Sequence, residues 1–247
     1  MSSRKIKLEV LALLASADLD HIFREIEQYA EKDLISPLFS ALSRPEEMVR
    51  WHAVSVFGQV VPRLADQDME AARIVMRRFL WSLNDESGGI GWGAPEAMAE
   101  IMLHHDRLTD EYLHMLLSYL QPDGPLEHQD GNFLELPSLQ CGLLWGIGRL
   151  AERRTAMLLS RGVVADLLPY LQSEDGGVRG LAVWSLGVLL SACLPDHLRA
   201  VVDQDTLLPL ATDTGQIRLY QQGQVQVFSV ANLVKNALLQ ITAPCDS

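Results

Sequence analysis

Tryptophan and glutamate are the side chains of this sequence whose types and spacing suit them to recognise a ligand. Trp51 and Trp92 stand 41 residues apart, and Trp145 and Trp184 stand 39 apart. When residues 49–58, 90–99, 139–148 and 178–187 are aligned as copies of one helix, Trp51 and Trp92 share a column. Trp145 and Trp184 share a second column one helical turn on. Residues four apart lie on one helix face, so the columns join into a single stripe. Its rows are Trp51, Trp92, Cys141, Gly180, then Ser55, Glu96, Trp145, Trp184, then Gln59, Glu100, Arg149, Val188. Indoles on a water-facing side of a helix are costly to leave uncovered. The stripe therefore reads as a groove with aromatic anchors and two carboxylates, Glu96 and Glu100. The competing reading packs the same rings inside the molecule or beneath the loop at 121–133.

The segment 84–96 shapes the approach to Trp92. Gly88, Gly89, Gly91 and Gly93 loosen the backbone. Pro95 fits only the first turn of a helix, so a helix should start near Trp92–Ala94. Free amides at that start would attract an anion, but Asp85, Glu86 and Glu96 compete with it. No phosphate-binding Gly-Lys-Ser/Thr follows these glycines, and no strand precedes them. His104, His105, His114 and Asp110 could approach a metal, but adjacent histidines on a helix point about 100° apart, so no metal site is assigned. Neither Gly-x-Ser-x-Gly nor His-Glu-x-x-His occurs, and no residue is assigned as catalytic. Arg50 and Arg179 are expected to tie repeats to the carboxylates of their turns.

The elements that must hold these residues are helices in pairs. Helical patterning covers 4–16 and 20–31, the second capped by Asp18 or Asp20. Asp33 is placed as the cap of the next helix, which runs to Ser43, and Pro45 turns the chain into a helix over 46–64. The pair Leu34-Ile35-Ser36-Pro37-Leu38-Phe39 and Pro45-Glu46-Glu47-Met48-Val49-Arg50 resembles a HEAT repeat. So does Val164 to Leu171 followed by Asp175-Gly176-Gly177-Val178-Arg179, with Ala182 and Leu186-Gly187. Gly91 and Gln140 replace the family's arginine in the other two copies. The glycine-rich segment is also similar to that of an uncharacterised bacterial HEAT-like family. The resemblance implies an all-α fold, a right-handed α-α superhelix of the HEAT/armadillo-like solenoid kind. A period near 40 residues implies the same stacking of helix pairs on physical grounds. In the second helices, Val49, Ala53, Val56, Phe57 and Val60 form the inward stripe, while Gly58, Gly148 and Gly187 allow close backbone approach. Trp81 lies in a first helix and is expected in the core.

Two segments break the period. One is the acidic Pro/Gly loop at 121–132. The other, 217–228, alternates about a glycine-containing turn and reads as a small C-terminal β-hairpin, after which Ser229 caps a last helix to Ile241. The hairpin is expected to close the end of the array. The domain reading is one solenoid over 1–247, with a helical cap at 1–32, repeats over 33–195 and a C-terminal cap over 196–247.

Composition narrows the function. A formal charge of −12 in 247 residues repels phosphate backbones, and 101–150 holds only Arg107 and Arg149 against seven acids. Nucleic acid is thus not an expected partner. Cys141, Cys193 and Cys245 are too far apart for a zinc site or a disulfide framework. Arg4, Lys5 and Lys7 before the apolar 10–15 imitate a secretion signal, but Ile6, Val10, Leu13 and Leu14 follow helical spacing, so an amphipathic first helix is read there. No run reaches the roughly 18 apolar residues that span a bilayer. A cytoplasmic protein without cofactor is expected. The leading function is a non-enzymatic recognition scaffold that binds a protein or peptide, basic or amphipathic, in an acidic aromatic groove. Its candidate residues are Trp51, Ser55, Trp92, Glu96, Glu100, Trp145, Arg149 and Trp184. The alternative is a HEAT-like enzyme or cofactor-handling protein, DNA glycosylase-like or bilin lyase-like, that uses Glu96 and the tryptophans.

Overall fold

In the computed structural model the described residues are 3–16, 18–84, 91–122, 124, 132–191, 202 and 204–242. They form an all-helical protein with one two-stranded sheet. Two compact units divide the chain. The first is Met1–His114 with Tyr220–Val225, and the second is Met115–Leu219 with Gln226–Ser247.

The first unit is built from α1 (Ser3–Leu14), α2 (Leu19–Ile26), α3 (Glu31–Leu42), α4 (Glu47–Gln67), α5 (Met69–Leu83) and α6 (Ala94–Leu103), followed by the start of α7 (Asp106–Ser118). Side-chain acceptors fix several starts. Asp18 Oδ1 accepts from the His21 amide at 3.0 Å and begins α2. Asp68 Oδ1 accepts from the Ala71 amide at 3.1 Å and turns α4 into α5. Asp33 does not cap α3: the helix begins one turn-half earlier, at Glu31, and places Asp33 in its first turn, where a negative charge still complements the amides. Helix α4 packs against α3, α5 and α6, and Val49, Ala53, Val56, Phe57 and Val60 are all buried as their spacing requires. Phe39, Phe57 and Phe79 join α3, α4 and α5, with ring centroids 4.6–5.1 Å apart. His52 is fully buried and its Nδ1 donates to the Leu14 carbonyl at 2.8 Å, which ties α4 to the end of α1.

In the second unit, α8 (Pro137–Ser160) leads through α9 (Val163–Leu167) and a 3-10 turn (Leu168–Gln172) to α10 (Gly176–Leu190). Asp175 caps α10 by accepting from the Val178 amide. A short α11 (Gln204–Leu207) precedes the hairpin β1 (Gln216–Gln221) and β2 (Gln224–Ser229), and α12 (Val230–Thr242) follows it. The hairpin turns on Gln222 and Gly223, both at positive φ (49° and 80°), the geometry of a two-residue turn matched to strand twist. Ser229 Oγ accepts from the Asn232 amide at 3.2 Å and starts α12 as its sequence position predicts. Helix α10 packs on α8 and α12. Arg179 is joined to Asp213 at 2.7 Å and also donates to the Ser173 and Glu174 carbonyls. It thus bonds a carboxylate beyond its turn and main-chain oxygens within it, while the charge of Asp175 in the turn also acts on it. Among the described residues no helix is long and apolar enough to cross a membrane.

Candidate functional site

The two pairs of tryptophans fall in different units and have different fates. In the first unit, Gly93 at φ 77° forms the left-handed entry to α6 and Pro95 lies in the first turn, so the helix starts where the glycine–proline pattern places it. Asp85 to Ile90 lie outside the described residues. A Cβ on Gly58 would stand 3.1 Å from Glu100 Cβ, and the charge of Arg50 acts on Glu96. Gly58 of α4 thus lies against Glu100 of α6. The turn of α4 that carries Arg50 and Trp51 is within electrostatic reach of Glu96.

The candidate residues of this unit are of three kinds. Trp92 is 45% exposed. Trp51 is half-buried and stacks on Tyr220 of β1, with centroids 4.8 Å apart and planes within 5°. Ser55 Oγ shares a 2.9 Å hydrogen bond with the Tyr220 hydroxyl. Glu96 is half-buried, but its Oε2 is sealed from solvent and has no hydrogen-bond partner. Burial pushes the Glu96 carboxyl up to about 7, against the opposing pull of its own backbone amide and of Arg50. An uncompensated buried carboxyl group is expensive. Glu100 is buried in the helix contact, where His104 Nδ1 donates to its carbonyl and lies 3.8 Å from its carboxylate.

The second unit corrects the expectation of open indoles. Trp145 is 2% exposed and Trp184 is 8% exposed. Trp184 lies flat on α8 where Gly148 has no side chain; a Cβ there would collide with the six-membered ring. Trp145 is buried with the guanidinium of Arg149 6.0 Å above its ring, and Arg149 pairs with Glu152. Trp145 and Trp184 are thus buried rather than open, and Arg149 is engaged with Glu152. Gly180 in the first column is covered by Ile217 of β1, whose side chain fills the place of a Cβ. Gly187 meets Ala237 only at ordinary contact distance, so it is not needed for close approach. Trp81 reverses the other expectation: at 80% exposed it is a surface residue, because α5 turns Ala72, Val75, Met76 and Phe79 inward. His104 and His105 are engaged locally, the latter 3.7 Å from Asp66. Among the described residues no cluster of metal-ligating side chains forms; His128, His197, Cys193 and Cys245 lie outside them.

Tyr220 is the site residue that sequence reading missed. The alternation at 217–228 signalled the hairpin and a terminal closing role, but nothing in the pattern points to Trp51 and Ser55, whose hydrogen-bond partner is 165 residues away.

No family model matches the chain. A curated relative from Archaeoglobus fulgidus, described as an uncharacterized protein, is 31% identical over 117 residues, 47% of this chain. The match spans 54% of that relative, about half its length. Two engineered proteins of known crystal structure superpose on nearly the whole chain. One has a TM-score of 0.57 at 14% identity, covering 97% of this chain and 91% of that one; the other has 0.52 at 17%, covering 98% and 97%. A designed armadillo repeat protein gives 0.47 at 16%, over 95% of this chain and 99% of that one. The fold is a HEAT/armadillo-like helical repeat with a small C-terminal hairpin.

Proposed function

We propose that this repeat protein is a non-enzymatic recognition scaffold, and that its first unit binds a protein or peptide segment presenting a cation. The binding residues would be Trp51, Ser55, Trp92, Glu96 and Tyr220. The observation that carries this reading is Glu96 Oε2, sealed from water without a partner in the first turn of α6, shortly after the exposed Trp92. A lysine or arginine of a partner would approach the half-buried Glu96 side chain and balance its carboxylate, while its apolar stem would lie against the indole. Tryptophan is also the residue type most enriched among side chains that dominate binding energy. Glu100 has a supporting part only, holding α6 to α4.

The reading fixes a pH dependence. A cation binds the ionised carboxylate, so below pH 7 the site must first lose a proton. Affinity should weaken by up to about tenfold for each further pH unit of acidification. The test is calorimetric titration of an amphipathic peptide bearing lysine and arginine on one face, with a glutamine-substituted peptide as control. The basic peptide is expected to bind at pH 8, to weaken toward pH 6, and to lose about tenfold or more on Trp92→Ala or Glu96→Gln. Equal affinity for both peptides, or no loss in either variant, would contradict the proposal.

A further inference from the structure

Helix α5 carries two large apolar side chains among arginines on the face away from its core. Ile74 and Trp81 are seven residues apart, two turns on one side of the helix, and they are 57% and 80% exposed. Between them stand Arg77 and Arg78, and the group lines an open depression of about 440 Å³ with Leu80. The two arginines differ. Arg77 is paired with Glu70 at 2.5 Å. The Arg78 guanidinium lies 3.7 Å from the centroid of the Phe39 ring, and among the described residues no carboxylate pairs with it. Burial pulls the Arg78 pKa down, and no acid contributes an opposing pull.

We propose that this face of α5 docks an acidic amphipathic helix of a partner protein. In such a helix two apolar side chains two turns apart would meet Ile74 and Trp81, and an aspartate or glutamate between them would meet Arg78. Charge complementarity selects this occupant. A second copy in a two-fold contact would set Arg78 against Arg78. An anionic membrane would be held by the single unpaired Arg78, short of the clusters of basic residues that such binding uses. An exposed Trp81 two turns from Ile74 suits the helix-in-groove mode, in which spaced apolar anchors carry affinity. The surface uses none of the residues assigned to the Glu96 face, although Gly91 beside Trp92 packs on Ser82 beside Trp81.

The test uses the full chain and three synthetic helical peptides with one apolar stripe, flanked by glutamate, glutamine or lysine. Tryptophan emission and calorimetry follow binding. The glutamate peptide should bind best, weaken about tenfold or more on Trp81→Ala and on Arg78→Gln, and be unaffected by Glu96→Gln. Arg78→Glu should shift preference toward the lysine peptide. Unfolding curves of Trp81→Ala should match the parent, since the ring is mostly in water. Three equal peptides, or affinities indifferent to Trp81 and Arg78, would overturn the proposal. Sedimentation showing a dimer that Trp81→Ala dissolves, or Trp81-dependent binding to phosphatidylserine vesicles without peptide binding, would overturn it in favour of those occupants.

Discussion

At Glu96 the carboxyl group keeps its proton to about pH 7 in the folded chain, whereas its ordinary value is 4.5. Between those values the folded state holds a proton that the unfolded state has released, so stability falls as pH rises through the window. Complete ionisation costs on the order of 3 kcal/mol, at about 1.4 kcal/mol per pH unit. Glutamine cannot ionise. We therefore expect Glu96→Gln to gain stability over the parent in urea unfolding progressively from about pH 5 to pH 8, and parallel curves would count against a buried carboxyl. The residue itself was legible in sequence because it shares a column with tryptophans. Its burial was not, since that depends on how closely α6 lies on α4, a distance set by Gly58 opposite Glu100.

At the scale of the element, the question is which face of each helix a tryptophan occupies. Residues advance about 100° each around a helix, so Trp81, two past the buried Phe79, must point away from the core stripe of α5. That placement was present in the spacing, but position in a first helix obscured it. Trp145 and Trp184 could not be placed from their own helices, because what covers Trp184 is the bare backbone of α8 and what covers the neighbouring column is a strand. Cutting a buried ring to alanine typically costs about 3–5 kcal/mol, against roughly half a kcal/mol at an exposed site. Trp145→Ala and Trp184→Ala should thus destabilise strongly and Trp81→Ala hardly at all. Gly148→Ala should also lower stability, by about 1–3 kcal/mol, because the added methyl displaces the Trp184 ring. A Gly148→Ala unfolding curve identical to the parent would mean that the indole does not rest on α8.

For the whole molecule, the repeat period, the helical class and the hairpin were all readable, since each depends on local periodicity repeated along the chain. What brings residue 220 to residue 51 was not, because no local pattern encodes a partner so distant. Net charge acts at this scale as well. At −12 the chain cannot supply the counterion release that drives nucleic-acid association. We expect no gel shift of labelled duplex DNA at near-physiological salt and low micromolar protein; a salt-sensitive shift would bring back the glycosylase-like use of Glu96. The contact between Ser55 and Tyr220 also has a consequence during synthesis. The two residues are 165 positions apart, and ribosomes add about 5–20 residues per second. For on the order of ten seconds, each newborn copy presents Trp51 without its tyrosine lid, and it is in that interval that chaperones or neighbouring nascent chains can reach the ring.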